Sequence, residues 1–387
     1  MLVNYQRLLV FIVVIILFFI TKSHFDTSLL WDLNLHNNRA VLRSANATLG
    51  FGAIYAVSGR LSPRRERLML QANLTDLEII IPETIDLKKE DYDEFRYDAP
   101  QSIGDGALHS WMSHRNALEK YVSTVPVCVS IPNLCRFMES GAETALFMED
   151  DVDWDIRIKS VQIPRLATAT RGAFGDSPSD HYFGNLSQWD IFWIGHCGDY
   201  FIPVEDGVGV GHLTPSDLLR ASPTQYVDDT LPFGFDMHPY TASELTAFNV
   251  SIKTRIIHKS RRPLCTFAYA LTRTGAEKIL TTVAPAKAVT FAYDFALTLG
   301  CQEGIINCWT LTPELFHHYP APSLIHEIEN LNALAPVDRA GVVQRDRRKR
   351  TANLDCGFWG GDFDWEKSPD RDEFKEQGRQ GKCLKLW

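Results

Sequence analysis

The chain has 387 residues, 45% of them hydrophobic and 22% charged, with a formal net charge of -9. This is ordinary globular composition rather than disorder, and it suits one large domain or two of common size. The negative field disfavours nucleic acid as a partner.

The first element is apolar. Leu8 to Ile20 (LLVFIVVIILFFI) is an uninterrupted run of 13 residues between Arg7 and Lys22. As a helix it spans about 20 Å, against a hydrocarbon core of about 30 Å. Leu2, Val3, Tyr5 and Thr21 extend it, and the flanking cations can snorkel. No small-x-small cleavage site follows Ile20, so a signal anchor is expected over 1–23, including a short cytosolic tip; a cleaved signal peptide is the alternative. Four N-x-S/T sequons, at Asn46, Asn73, Asn185 and Asn249, all lie downstream. They point to a lumenal body, hence a single-pass type II protein of the Golgi or endoplasmic reticulum membrane. None of the eight cysteines forms a CxxC pair, which disfavours zinc. An oxidising lumen permits disulfides, and Cys356 with Cys383 is expected to staple the tail.

Residues 24–50 read as a stem. Gly52–Val57 is a β-rich run followed by Ser58, and Arg64–Gln71 begins a basic helix; this is a common opening of nucleotide-binding α/β domains. Further strands are expected at Glu78–Ile81, Ala142–Met148, Asp190–Ile194, Cys265–Leu271 and Ile306–Leu311. Helices are expected at Leu108–Tyr121 and at Thr274–Leu280, the latter capped by Thr274. Residues 122–137 interrupt the helical pattern and read as an insertion, which as translated intron sequence would leave the chain inactive; a loop with one strand is the plain alternative. Residues 200–250 read as loop-rich. Residues 331–387 read as an irregular extension, with a basic run at Arg345–Arg350.

The strongest chemical signal is Leu146-Phe-Met-Glu-Asp-Asp-Val-Asp153. An apolar strand delivers Glu149, Asp150, Asp151 and Asp153 within five residues. Like charges so close are costly in a low dielectric and call for a cation. A hard divalent ion, Mn2+ or Mg2+, suits oxygen ligands at a strand end. In an extended segment Glu149, Asp151 and Asp153 would share one side as metal ligands, with Asp150 opposite. An exposed acidic turn without any ligand is the plain alternative.

The order of segments resembles glycosyltransferase family 25, the lipooligosaccharide and procollagen galactosyltransferases. The segments are Ile54–Ser58 with Arg64–Arg67, Gly104–His114, Leu146–Val152, Phe267–Ala276 and Tyr293-Asp294, spanning about residues 52–325. His109 departs from the small residue or cysteine usual there. The resemblance implies a GT-A-like α/β fold over 51–330, a mixed sheet flanked by helices. It also implies metal-assisted, inverting transfer of a hexose, often galactose, from a UDP-sugar to a glycan, glycolipid or protein hydroxyl.

An inverting displacement needs a general base. Asp294 is the candidate by position, a structural carboxylate at a helix N-terminus being the alternative. Asp199 is a second candidate, for sugar hydroxyls. Ser58, Arg65, His114 and Asp150 are candidate donor-binding residues, with Arg64 and Arg67 as further phosphate partners. His258 with Arg261 and Arg262 is a weaker diphosphate candidate. One of His317, His318 and His326 is a candidate to complete the metal shell. Two rival classes remain: a metal-dependent phosphoester hydrolase, and a non-catalytic lumenal binding protein that keeps the fold.

Overall fold

The computed structural model describes residues 43–60, 62–85, 87–96, 103–124, 143–175, 181–202, 209–319, 351–359 and 371–383. The apolar run at 8–20, most of the expected stem, residues 125–137 of the insertion, His326 and the basic run at 345–350 lie outside them. Among the described residues no helix is long and apolar enough to cross a membrane.

The fold is α/β. Among the described residues nine strands form in chain order: β1 (Ala53–Val57), β2 (Thr144–Glu149), β3 (Val152–Trp154), β4 (Ile191–Gly195), β5 (Thr224–Val227), β6 (Thr254–Lys259), β7 (Ala268–Thr272), β8 (Cys308–Thr312) and β9 (Phe316–His318). Seven of them make one mixed sheet in the order β1-β2-β7-β4-β8-β6-β5, and β3 pairs with β9. β1 with β2 and β4 with β8 are parallel; the other neighbours are antiparallel.

The central strands are apolar on both faces, as a sheet covered on both sides requires. Period-two alternation sorts their side chains into two cores. Leu146, Met148, Phe192, Ile194, Ala268 and Ala270 enter one. Ala145, Phe147, Ile191, Trp193, Tyr269 and Leu271 enter the other. Helix α1 (Arg64–Leu74) covers the first face with Leu68 and Ala72. Helices α2 (Lys89–Arg96) and α3 (Asp105–Ser123) belong to the second face, where α3 contributes Leu108, Trp111 and Leu118.

The remaining helices are α4 (Ile163–Phe174), α5 (Pro215–Arg220), α6 (Pro239–Ala247), α7 (Arg273–Lys278), α8 (Tyr293–Gln302) and α9 (Arg371–Arg379). Helix α4 carries Ile163, Leu166, Ala167 and Thr170 on its buried side, with Pro164 in its first turn. Helix α7 is capped by the side chain of Thr272, not Thr274. At its start, Gly275 sits so close to Asp190 O that a Cβ would collide with it. The 200–250 region is more regular than expected, because α5, β5 and α6 form within it around a third apolar cluster of Leu213, Leu231 and Leu245. The expected strand at Glu78–Ile81 reduces to a single bridge between Ile80 and Tyr55.

Among the described residues three disulfides join Cys197 to Cys265, Cys301 to Cys308 and Cys356 to Cys383. The expected tail staple therefore forms. The four sequon asparagines are within reach of solvent: Asn46, Asn73 and Asn249 are exposed and Asn185 is half-buried.

Candidate functional site

β1 and β2 run parallel and end side by side, with Val57 opposite Glu149. The carboxyl ends of parallel strands are where open α/β sheets hold ligands. Beyond β2 the chain turns at Asp150 and Asp151 before β3 starts. That turn breaks the expected alternation and brings Asp150 and Asp151 to the same guanidinium. Arg64, at the start of α1, lies 2.9 Å from Asp150 Oδ1 through Nε and 2.5 Å from Asp151 Oδ2 through a terminal nitrogen. Part of the positive charge that the acidic cluster demands is thus supplied by the chain itself.

Ser58 donates to Asp150 Oδ2 at 2.5 Å and accepts from Arg65 Nε at 3.0 Å. With Ser58 and Arg64 on its oxygens, Asp150 is 3% exposed and acts as a brace for them rather than as a direct donor contact. Arg65 also donates to Ser58 O and Thr84 Oγ1, at 3.0 and 3.2 Å. All of these acceptors are neutral, so among the described residues the Arg65 guanidinium has no carboxylate partner. A cation held in this way at a strand end suits an anionic ligand.

Asp151 is under-satisfied. Among the described residues its Oδ1 is buried and has no hydrogen-bond partner, whereas Oδ2 faces Arg64. Burial, with the Glu149 and Asp150 charges acting against Arg64, pushes its carboxyl up to about 7.

Glu149 sits beside a network carried by the sheet. Tyr55, Phe147, Tyr269 and Trp193 occupy matching positions on β1, β2, β7 and β4 and form an aromatic row, with centroids 5.4, 5.5 and 6.0 Å apart. Truncating a buried ring such as Phe147 costs about 3–5 kcal/mol. The row presents the Tyr269 hydroxyl to His114 Nδ1 at 3.0 Å, and the Tyr293 ring stacks on the imidazole at 4.6 Å. His114 Nε2 lies 3.7 Å from Glu149 Oε1, which also accepts from Thr266 Oγ1 at 2.6 Å. Burial works to raise Glu149, but His114 and Thr266 outweigh it and keep the carboxyl below its ordinary value.

Asp294 lies at the start of α8, close enough to Glu149 for the charges to couple. Its Oδ2 accepts from Cys265 N at 2.9 Å and its Oδ1 from Phe295 N at 2.8 Å. Burial raises its carboxyl despite these donors, with Glu149 adding to the rise. It keeps partial exposure, which a base that meets an acceptor requires.

β9 brings His317 and His318 to the same end, paired with Asp153 and Val152 of β3. His318 is open at its outer edge, yet the surrounding protein and His317 lower it to about 4, so it is a neutral imidazole at pH 7 with a lone pair to offer. Its charge couples to Glu149. His317 Nδ1 meets Glu314 Oε1 at 2.5 Å.

Two assignments from sequence need correction. Asp153 is not a metal ligand. It is fully buried and turned into the protein, where it accepts from Gln71 Nε2, Thr351 Oγ1, and the amides of Trp154, Phe358 and Trp359. Asp199 does not face a sugar. It is also fully buried, accepts from the amides of Arg261 and Arg262 and from Thr310 Oγ1, and braces the chain after β6. His258 is likewise buried, against Lys259 O and Thr312 Oγ1. Asp355, Cys356 and Cys383 have their ligand atoms near one another, but the two sulfurs are joined as a disulfide and supply no thiolate.

Thr266, Tyr269, Tyr293 and Glu314 were not singled out from sequence. Tyr269 and Tyr293 fall within segments that carry the family resemblance, and Glu314 stands three residues before His317. No protein-family model matches the chain, and no curated protein matches it.

Proposed function

We propose that the protein is a GT-A-like glycosyltransferase that moves a hexose from a UDP-sugar, galactose being the favoured sugar, to a hydroxyl acceptor. The observation that carries this reading is the under-satisfied Asp151 carboxylate between Glu149 and the guanidinium-lined end of β1. The donor types suit a hard divalent ion, since among the described residues Asp151 Oδ1 is buried without a partner and Glu149 is held ionised, but the ligand atoms of Glu149, Asp151 and His318 are not gathered into one cluster. When bound, Mn2+ or Mg2+ would supply Lewis-acid stabilisation of the departing diphosphate.

The chain's own residues do the rest. Arg65, which has no carboxylate partner among the described residues, takes a phosphate charge. Ser58 and Asp150 hold Arg65 and Arg64 in register. Asp294 accepts the proton of the acceptor hydroxyl as the acceptor oxygen bonds to the anomeric carbon and the bond to the diphosphate oxygen breaks. Its raised basicity suits that task. The exposed sequons and the disulfides agree with an oxidising, lumenal setting. With the apolar run at 8–20 they support a type II membrane protein of the Golgi or endoplasmic reticulum.

Calorimetry of the protein with UDP, with and without Mn2+, tests the reading. Binding should require the metal and vanish in Asp151→Asn. Binding indifferent to both would remove it. Release of phosphate from simple esters would favour a hydrolase, and no ligand binding at all a scaffold.

A further inference from the structure

Consecutive residues between β6 and β7 tie α8 to the end of β2. Cys265 N donates to Asp294 Oδ2 at 2.9 Å. Thr266 Oγ1 donates to Glu149 Oε1 at 2.6 Å, and Phe267 O accepts from Glu149 N at 3.0 Å. Pro263 O accepts from Thr298 Oγ1 on α8. The stretch 263–267 is therefore a joint between α8, which carries Asp294, and the strand end that carries Glu149.

That joint is itself held by the chain after β4. Cys197 N donates to Leu264 O at 3.0 Å, and Leu264 N to Gly198 O at 3.1 Å. The Cys197–Cys265 disulfide closes the same contact covalently. A disulfide that only restricted the unfolded chain would place no demand on the conformation of its cysteines. Cys265 instead sits at φ 65°, in the left-handed region that a cysteine rarely adopts. Backbone of this kind persists where the surrounding contacts over-determine it. The angle φ rotates the rigid peptide plane that carries the Cys265 N–H. With Thr266 fixed on Glu149, a return to ordinary negative φ would swing that N–H away from Asp294.

We propose that the Cys197–Cys265 disulfide is a positioning device for the site. It keeps Cys265 left-handed, so that the Cys265 amide holds Asp294 while the Thr266 hydroxyl holds Glu149. Both cysteines are positioning residues. Opening the bond lets residue 265 relax, and Asp294 loses one of its two amide donors. The proposal rests on the reading that Asp294 is the general base of the transfer.

The test compares two double variants of the full chain, in detergent. Cys197→Ala/Cys265→Ala removes the bond and disfavours the left-handed backbone. Cys197→Ala/Cys265→Asn also removes the bond but supplies a residue that tolerates that backbone. Amide hydrogen exchange reads the geometry without turnover. The amide at position 265 should exchange at least about tenfold faster in the alanine variant, and asparagine should restore most of its protection. Cleavage of UDP-galactose by water, with Mn2+, reads the consequence. There kcat should fall about tenfold in the alanine variant with donor KM unchanged, and asparagine should restore most of it. Unchanged exchange at 265 in the alanine variant, or a kcat loss that asparagine does not restore, would overturn the positioning role.

If the variants do not fold, mild reduction of the wild-type protein replaces them. Cys197 and Cys265 are both half-buried, whereas Cys308, Cys356 and Cys383 are buried, so dithiothreitol should open this bond before the other two. Peptide mapping identifies the opened bond, and the same changes in exchange and kcat are expected. Neither change, with this bond open, would also overturn the proposal. A wild-type protein that does not cleave UDP-galactose sinks the transferase reading, and the exchange measurement then decides the disulfide's role by itself.

Discussion

The acidic run divides at Val152 into two regions with opposite treatment. Before it, Asp151 has one oxygen on Arg64 and another buried without a partner, next to two further carboxylates. After it, Asp153 receives donors from Gln71, Thr351, Trp154, Phe358 and Trp359, and Asp155 is held by Arg157 in a two-pronged pair at 2.7–2.8 Å. These are the same residue type, two to four positions apart, Asp151 being 18% exposed and the other two fully buried. A carboxylate given every donor it can use is part of the framework. One left short of donors at a strand end is equipped to meet something from outside.

The largest effect that can break this contrast is on stability. Asp153→Ala strips the partner from several buried donors, each costing about 1–3 kcal/mol when unsatisfied. We expect a net loss of about 4 kcal/mol, read as a lower denaturation midpoint with an unchanged slope. Asp151→Asn should change stability by less than about 1 kcal/mol, in the stabilising direction, because it relieves buried like-charge repulsion. Equal losses in the two variants would erase the distinction between framework and site.

The contrast is sharpened by the other two aspartates chosen from sequence. Asp294→Asn should lower kcat at least about 100-fold with little change in donor KM, the signature of a lost general base. Asp199→Asn should cost about 2 kcal/mol of stability, because one of its acceptor oxygens becomes a donor facing amides. Transfer per folded molecule should then be retained. A kcat collapse in a stably folded Asp199→Asn protein would return that residue to the site.

Much of the architecture is legible from local pattern. The apolar runs at 52–57, 142–148 and 190–194 fall on β1, β2 and β4, and the acidic cluster falls at the end of β2, where the period-two run stops. The missed elements have physical reasons. β6 (Thr254–Lys259) reads as charged because it carries Arg255, yet Arg255 is buried against Asp228 and the carbonyls of Pro313 and Glu314. Helix α4 is absent from the expected elements, although Pro164 followed by Leu166, Ala167, Thr170 and Phe174 carries its first turn and buried side. Within the site, spacing places carboxylates but does not say where they turn. Asp153 differs from Asp151 chiefly through Gln71, Thr351, Phe358 and Trp359, all of them distant in the chain, and no local rule reaches that far. His114 is the opposite case: its place at the end of the Gly104–His114 segment made it a candidate, its setting amid Trp111, Met112 and Leu118 suited a satisfied core histidine equally, and its partners Tyr269 and Tyr293 come from distant elements.

The finest test of the contrast is titration. Burial, Glu149 and Asp150 outweigh Arg64 and put Asp151 at about 7, above its ordinary value of 3.8. A raised folded-state value means that the group's contribution to stability is fully present below about pH 4 and is lost as pH rises through about 7. The metal-free protein should therefore become less stable across that window, and Asp151→Asn should flatten the decline. Metal binding runs the other way, since Mn2+ needs the ionised carboxylate and displaces its proton. Affinity should rise about tenfold per pH unit up to about 7 and level off above it, one proton being released per ion bound. Arg64→Ala removes the charge that holds Asp151 down and should move the levelling-off point to higher pH. If Mn2+ affinity instead follows pH only below 5, in the range of an ordinary carboxylate, Asp151 is solvated like a surface residue and does not differ from an acidic turn.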